Sequence, residues 1–324
     1  MIARLNELHS LIIYIVFGYT LLLPLVLASL RIFNITEAVQ RLRIYLVAFL
    51  TPLAVFIIYH TLLVKRCESG LPPLWSESAF HLLCTVTEGM LIGFVPLLGL
   101  LSVIAVFKAA AAVLMARRLE KKAVSIESEL SGFVNTLAIE KSKILGMTPP
   151  RVIFILRDDF AAFTIGFIRP IIVINYNMIK FLTEREIEAV ISHELIHIKN
   201  SDSLKNWILH FIRDIVFLNP LSALLLRGYL TEKEVVCDQA AAELANQKPQ
   251  EYAATLLKVW RSIADRQKVN PVLASNFTGS NGMERRIKAL LDSAKGSTAT
   301  SRVAALFSGI ILFLTTLLFL GHIC

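Results

Sequence analysis

Residues 191–197 read Ile191-Ser192-His193-Glu194-Leu195-Ile196-His197. Histidines four apart on a helix lie about 40° apart around its axis, so both imidazoles leave one face and converge on one point. That arrangement suits a metal ion. Glu194 is rotated roughly 100° from His193. It cannot be an equal ligand on that stripe, but it can lean over a water held there. Two nitrogen ligands beside a carboxylate base are what zinc-assisted hydrolysis needs. The plain alternative is a pair of surface histidines on an amphipathic helix. The flanking Ala189, Val190, Ile191, Leu195, Ile196 and Ile198 argue against it. A mostly apolar helix is a buried one, and buried histidines beside a buried glutamate require a partner.

A tetrahedral site wants one more protein ligand and leaves a position for water. The downstream run Thr231–Ala242 offers acids. Glu234 and Asp238 are four apart and share a face. Glu232 lies off that face and reads as a solvated charge near a helix N-terminus, where acids are favoured. That reading is weaker for Asp238, because Val235, Val236, Cys237 and the alanines after Gln239 mark a packed helix.

These residues need elements to hold them. Thr183 followed by Glu186 is a capping box and opens a helix through about Lys199. A second helix starts at Asp202, a third covers Ser222–Asn246, a fourth starts after Pro249, and a last one covers Met283–Leu291. Upstream, a charged helical stretch from Arg117 to Leu145 stops near Gly146 and Pro149-Pro150. Three β-rich runs follow at Arg151–Leu156, Ala161–Ile165 and Ile171–Asn175, punctuated by Gly166 and Pro170. Strands first and helices later imply an α+β domain. The run Ile171, Ile172, Val173, Ile174 and Asn175 precedes the histidine helix. It is either an ordinary core strand or a strand that pairs with an extended substrate by β-augmentation. His210, Arg213, Arg285 and Arg286 are candidate oxyanion donors, and each reads equally well as a surface or lipid-interface charge.

The rest of the chain is unusually apolar. Of 324 residues, 55% are hydrophobic and 18% charged, against about 25% charged in a soluble domain. The mean hydropathy is +0.63. This excludes disorder and disfavours a wholly soluble enzyme. The excess sits in four blocks at 11–30, 44–64, 89–107 and 303–321, each long enough to cross a bilayer as a helix. Only His60 is ionisable inside them, which disfavours a transporter or channel. The first block lacks a basic n-region and a good cleavage site, so it reads as a retained span. Arg31, Arg41 and Arg43 lie between the first two blocks, and Lys108, Arg117, Arg118, Lys121 and Lys122 follow the third. The N-terminal tail has only Arg4 and the 65–88 loop only Lys65 and Arg66. The positive-inside rule then puts the 31–43 loop and residues 108–302 inside. The resulting organisation is three transmembrane helices in 1–115, an interior domain over 116–302, and a fourth span with a short tail over 303–324. Trp207–Leu226 is apolar but interrupted, and reads as a core or interfacial helix pair.

The net charge of +8 follows from this topology, and no basic stripe interleaved with aromatics argues for direct nucleic-acid binding. Cys67 and Cys84 share the outer loop, where a disulfide and two separate thiols are equally compatible with the sequence. Cys237 reads as a small core residue.

Phe163-Thr164-Ile165-Gly166, Arg169-Pro170, the strand after them, Ala189 through Lys199 and the following Asp202 together resemble integral-membrane gluzincin metalloproteases. Two related families are similar: the beta-lactam-resistance sensor-transducer proteases, of antirepressor peptidase type, and the prenyl-protein and heat-shock membrane proteases. Asn219-Pro220, Met283-Glu284-Arg285-Arg286-Ile287 and the order of three spans, protease, one span resemble the first. The resemblance implies a multi-span α-helical membrane protein with four transmembrane helices and a cytoplasmic α+β zincin-like protease domain. It implies one zinc ion per chain, Glu234 as third ligand, Asp238 and Asp202 supporting the ligands from behind, and a bacterial cytoplasmic membrane. Partners would be membrane lipid and a protein substrate, either a transcriptional repressor or the chain itself. Antibiotic-sensing members carry a penicillin-binding domain after the fourth span, whereas this sequence stops at Cys324, so no such domain is expected here.

Three functions compete on these grounds. A zinc endopeptidase acts in regulation or in quality control. A non-catalytic receptor or scaffold holds a structural metal, which normally takes four protein ligands. A transporter needs charges in its spans. Three visible ligands and an intact Glu194 favour the enzyme.

Overall fold

A computed structural model describes residues 2–58, 77–121, 129–156, 162–267, 280–292 and 299–321. His60, Cys67, Cys324 and the Cys84 side chain lie outside the described residues; the Cys84 backbone falls within the helix Glu77–Lys121 and not in a loop, because the apolar run extends helically back to Glu77.

Apolar runs without strand punctuation form the long helices α1 (Ile2–Ile32), α2 (Ala38–Ile58), α3 (Glu77–Lys121) and α11 (Ala299–Gly321). Among the described residues, three stretches are long and apolar enough to cross a membrane: Leu11–Ile32, Ala38–Ile58 and Pro96–Lys121. Val303–Phe319 is a shorter apolar stretch of 17 residues. The third stretch sits further along the chain than the sequence block 89–107. Its alanines, good helix formers, carry the helix without a break through Arg117 to Lys121, so the charged stretch expected from Arg117 onward begins inside α3. Val103, Val106 and Phe107 of α3 are 66–73% exposed, the aspect of a helix facing lipid.

The chain divides into two compact units, residues 1–105, 209–233 and 297–324, and residues 106–208 and 234–296. In the first, Tyr19, Leu22, Phe49 and Leu312 of the long helices bury together with Val216, Leu225 and Tyr229. These last three come from the 207–226 stretch and the residues just after it, carried on α7 (Asp202–Ile215), the following turn and α8 (Leu221–Leu244). Asn219 fixes the turn. Its Oδ1 accepts from the Leu221 N–H at 2.9 Å and its amide donates to the Val16 carbonyl at 2.7 Å. A Cβ on Gly228 would fall 2.5 Å from the Tyr45 ring, so α8 lies against α2 as closely as backbone allows.

In the second unit, β1 (Arg151–Ile155), β2 (Ala162–Ile165) and β3 (Ile171–Asn175) form a sheet of order β1-β3-β2. β1 runs parallel to β3 and β2 antiparallel. β3 is buried throughout, which a sheet covered on both faces requires. Ile172 and Ile174 pack against α4 (Glu129–Ile144) and α6 (Glu184–Lys199), while Ile171 and Val173 pack toward Leu119 of α3. Each edge of β3 is filled, so it cannot receive a substrate strand. The β-augmentation expected of Ile171–Asn175 is therefore corrected: this is a core strand, and the edge beside the histidine helix belongs to β2. Gly166 makes the turn between β2 and β3 at φ +106°, where a Cβ would also meet the Arg169 carbonyl at 3.0 Å. The short α5 (Tyr176–Ile179) after β3 has no counterpart in the sequence reading. α9 (Pro249–Gln267) and α10 (Ser280–Asp292) close the unit over α6 and the C-terminal half of α8, around Ala189, Cys237, Ala241, Tyr252 and Leu290.

Candidate metal centre

α6 begins as its sequence says. The Thr183 side chain accepts from the Glu186 N–H, and Glu186 accepts in return from the Thr183 N–H at 2.8 Å. Lys258 joins from α9 at 2.7 Å. Burial works against the Glu186 carboxylate, but Lys258 and the Thr183 backbone outweigh it and hold its pKa below the usual range. Starting there, the helix phase buries Ile187, Ile191 and Leu195 in the core and turns His193 and His197 together toward α8.

The two Nε2 atoms stand 3.0 Å apart. Glu234 Oε2 lies 3.6 Å from that of His193 and 3.8 Å from that of His197. Donors about 2.05 Å from a tetrahedral centre are separated by roughly 3.3 Å, so this triangle has the size of one metal's ligand set. The other ring nitrogens are held from behind. His193 Nδ1 lies 3.1 Å from Asp238 Oδ1, and His197 Nδ1 lies 2.6 Å from Asp202 Oδ2. An N–H donated there from Nδ1 leaves the Nε2 lone pair facing the centre. Asp238 is in turn gripped by Arg286, whose Nε and Nη2 donate at 2.6 and 2.7 Å, and by the Tyr252 hydroxyl at 3.2 Å.

The electrostatics favour a cation at the triangle. Burial disfavours charge on His193, but Asp238 and Glu234 outweigh it and raise the pKa to about 10. Burial opposes the Glu234 carboxylate too, yet His193, His197 and Arg286 push its pKa well below the usual range. Glu234 is thus an ionised donor, and the acids that favour a proton on His193 would equally favour a divalent ion in its place.

Glu194 sits beside the triangle, 7% exposed, with Oε2 accepting a 2.8 Å hydrogen bond from Thr164 Oγ1 of β2. On the His193 side, a cavity of about 130 Å³ is lined by Val190, Leu256, Val259, Trp260, Ile263 and Met283. On the His197 side, a groove of about 1190 Å³ passes Thr164 and Asp202.

The four candidate oxyanion donors divide between the units. His210 and Arg213 belong to the other unit, where His210 is exposed and Arg213 pairs with Asp214. Arg285 is half-buried on α10. Arg286 is neither a surface nor an interface charge. It is buried, and its guanidinium is engaged by Asp238, with Nη1 3.8 Å from Glu234 Oε2. Glu232 is also corrected. It lies mid-helix in α8, 2% exposed, and pairs with Arg41 at 2.6 Å, so it is not a solvated N-terminal charge. Cys237 is a core residue whose Sγ lies 3.5 Å from His197 Nδ1. Sequence reasoning missed Tyr252, a lone tyrosine with no motif around it, and gave Thr164 no role although it stands in the Phe163–Gly166 string.

Residues 75–290 match the BlaR1 peptidase M56 family. Regulatory protein BlaR1 of Bacillus licheniformis is 31% identical over 152 residues, covering 46% of this chain and 25% of that protein. The methicillin resistance mecR1 proteins of Staphylococcus aureus and Staphylococcus epidermidis are 28% identical over 144 residues, covering 43% of this chain and 24% of theirs. The chain thus aligns with about a quarter of the length of these relatives. The matched stretch is well over half of the sequence and contains the histidine pair, Glu234, Asp238 and Arg286, and on it this membrane protein belongs to the BlaR1 peptidase M56 family.

Proposed function

We propose that the chain is a zinc-dependent endopeptidase, held in the membrane by four spans within 1–115 and 303–324, with residues 116–302 on the cytoplasmic side. Its substrate is a protein whose cleavage serves regulation, a repressor or the chain itself. The observation that carries the reading is the donor triangle of His193, His197 and Glu234 with a fixed carboxylate beside it. The names of the relatives, a regulatory protein and resistance proteins, support regulation over quality control.

His193, His197 and Glu234 would hold the metal, with Asp238 and Asp202 fixing both imidazoles through Nδ1. When bound, zinc supplies acidity to a coordinated water and polarises the substrate carbonyl. Glu194 does the proton work. Thr164 occupies one of its oxygens, leaving the other to take a proton from the attacking water and return it to the leaving amine. The outer edge of β2, which pairs with no strand among the described residues, would align an extended segment of substrate beside Glu194 by main-chain pairing. The adjoining cavity is close to the about 150 Å³ that holds a benzene ring, so it accepts one large apolar side chain near the scissile bond.

The test is Glu194→Gln in the purified full-length protein. Self-cleavage and cleavage of proteins that accumulate in the variant strain should fall at least about 10²-fold, the lower range for general-base catalysis, with metal content unchanged. Wild-type proteolysis by the metal-loaded variant would refute the mechanism. Equal inertness of both proteins would favour a scaffold.

A further inference from the structure

The wide groove on the His197 side differs in chemistry from the apolar cavity on the His193 side. Its walls come from the end of α3, the 145–151 turn, the β2–β3 turn and the junction of α6 with α7. Among the described residues, six ionisable side chains besides His197 line it: Arg117, Glu120, Arg151, Arg169, Lys199 and Asp202. Two acids are already engaged, Glu120 with Arg151 at 2.8 Å and Asp202 with His197 at 2.6 Å. Arg117, Arg169 and Lys199 form no ion pair among the described residues and are exposed, from three different walls. A groove lined this way attracts anionic groups.

The groove is continuous with the reacting centre. Thr164 and His197 line it, and these are the residues that hold Glu194 and the metal position. β2 links the two spaces, since Ala162 lines the cavity and Thr164 the groove. A chain paired along β2 therefore lies in the groove on one side of the centre and reaches the cavity on the other. A lipid headgroup would satisfy the charges without needing that continuity.

We propose that the groove selects substrates with a run of acidic residues on one side of the scissile bond, opposite the side whose large apolar residue fills the cavity. Arg117, Arg169 and Lys199 are the specificity determinants. This rests on the endopeptidase reading and names the class of substrate.

The experiment uses the full-length Glu194→Gln protein in phosphatidylcholine nanodiscs and fluorescent peptides with a central phenylalanine, flanked on either side by aspartates or by serines. The aspartate peptide of the correct polarity should bind about tenfold tighter than its serine analogue, as expected for two or three exposed charge contacts. The gap should shrink at high salt. Arg169→Glu or Lys199→Glu should erase it, and Lys143→Glu, an equal charge change outside the groove, should not. Equal binding of all peptides, no measurable binding, or a preference that survives both reversals overturns the proposal. So does a result in which the reversals alter only association with phosphatidylserine vesicles. Wild-type hydrolysis of the serine peptides, lost in Glu194→Gln, would keep the endopeptidase reading even then.

Discussion

At the residue scale the centre is a chain of orientation. Arg286 fixes Asp238, Asp238 fixes His193, and His193 presents Nε2. Removing such a supporting partner typically costs about 10–100-fold in metal affinity. Asp238→Asn and Arg286→Ala should therefore weaken zinc binding by that range in a competition titration, while His193→Ala or Glu234→Ala should abolish tight binding. Thr164→Val should leave zinc affinity alone and lower kcat, because it frees only Glu194. Undiminished zinc affinity in Asp238→Asn would show that the imidazole is held by packing instead. The network is demanding because Asp238 is fully buried: without Arg286 it would be a charge in a low-dielectric site.

At the element scale α8 carries both Glu232 and Glu234. Glu232 is tied to Arg41 at the start of α2, within the first unit. The pair is mostly buried, and breaking a buried pair costs about 3 kcal/mol or more. Arg41→Ala should accordingly lower the thermal denaturation midpoint of the purified protein by more than the Arg41→Ala, Glu232→Gln double variant does. Equal midpoints for the two would mean that solvent already screens the pair. α6 rests on a more local device. Thr183→Ala removes a capping-box acceptor, worth about 1 kcal/mol, and should lower the same midpoint modestly.

At the scale of the whole molecule the membrane sets where chemistry happens. Three and five basic residues flank the segments assigned to the inside, against one and two outside. A reporter fused after Asn200 should read cytoplasmic, and one placed between residues 65 and 76, ahead of α3, external. The reverse pattern would place the substrate on the other side. Division of the chain into units that interleave along the sequence means that 209–233 counts with the long helices although it lies between the second histidine and Glu234.

Local chemistry made much of this legible. A capping box, a four-residue histidine spacing and unbroken apolar runs act over one or two turns, so the start of α6, the convergence of His193 with His197 and the long helices follow from the string of residues alone. Spacing offered Glu234 alongside Asp238, but its role as third ligand was legible only through resemblance, because its partners lie 37 and 41 positions upstream. What tertiary structure decided is everything that depends on distant neighbours. An isoleucine-rich run is equally good as an edge or a centre, and only the strand order shows that β3 is enclosed while β2 faces Glu194. An arginine's charge is fixed by its formula, but packing of α10 against α8 decided that Arg286 is buried against Asp238, and packing of α2 against α8 decided that Glu232 is buried against Arg41. Burial is a property of the assembled core, and no spacing rule along a single helix encodes which charges the core will enclose.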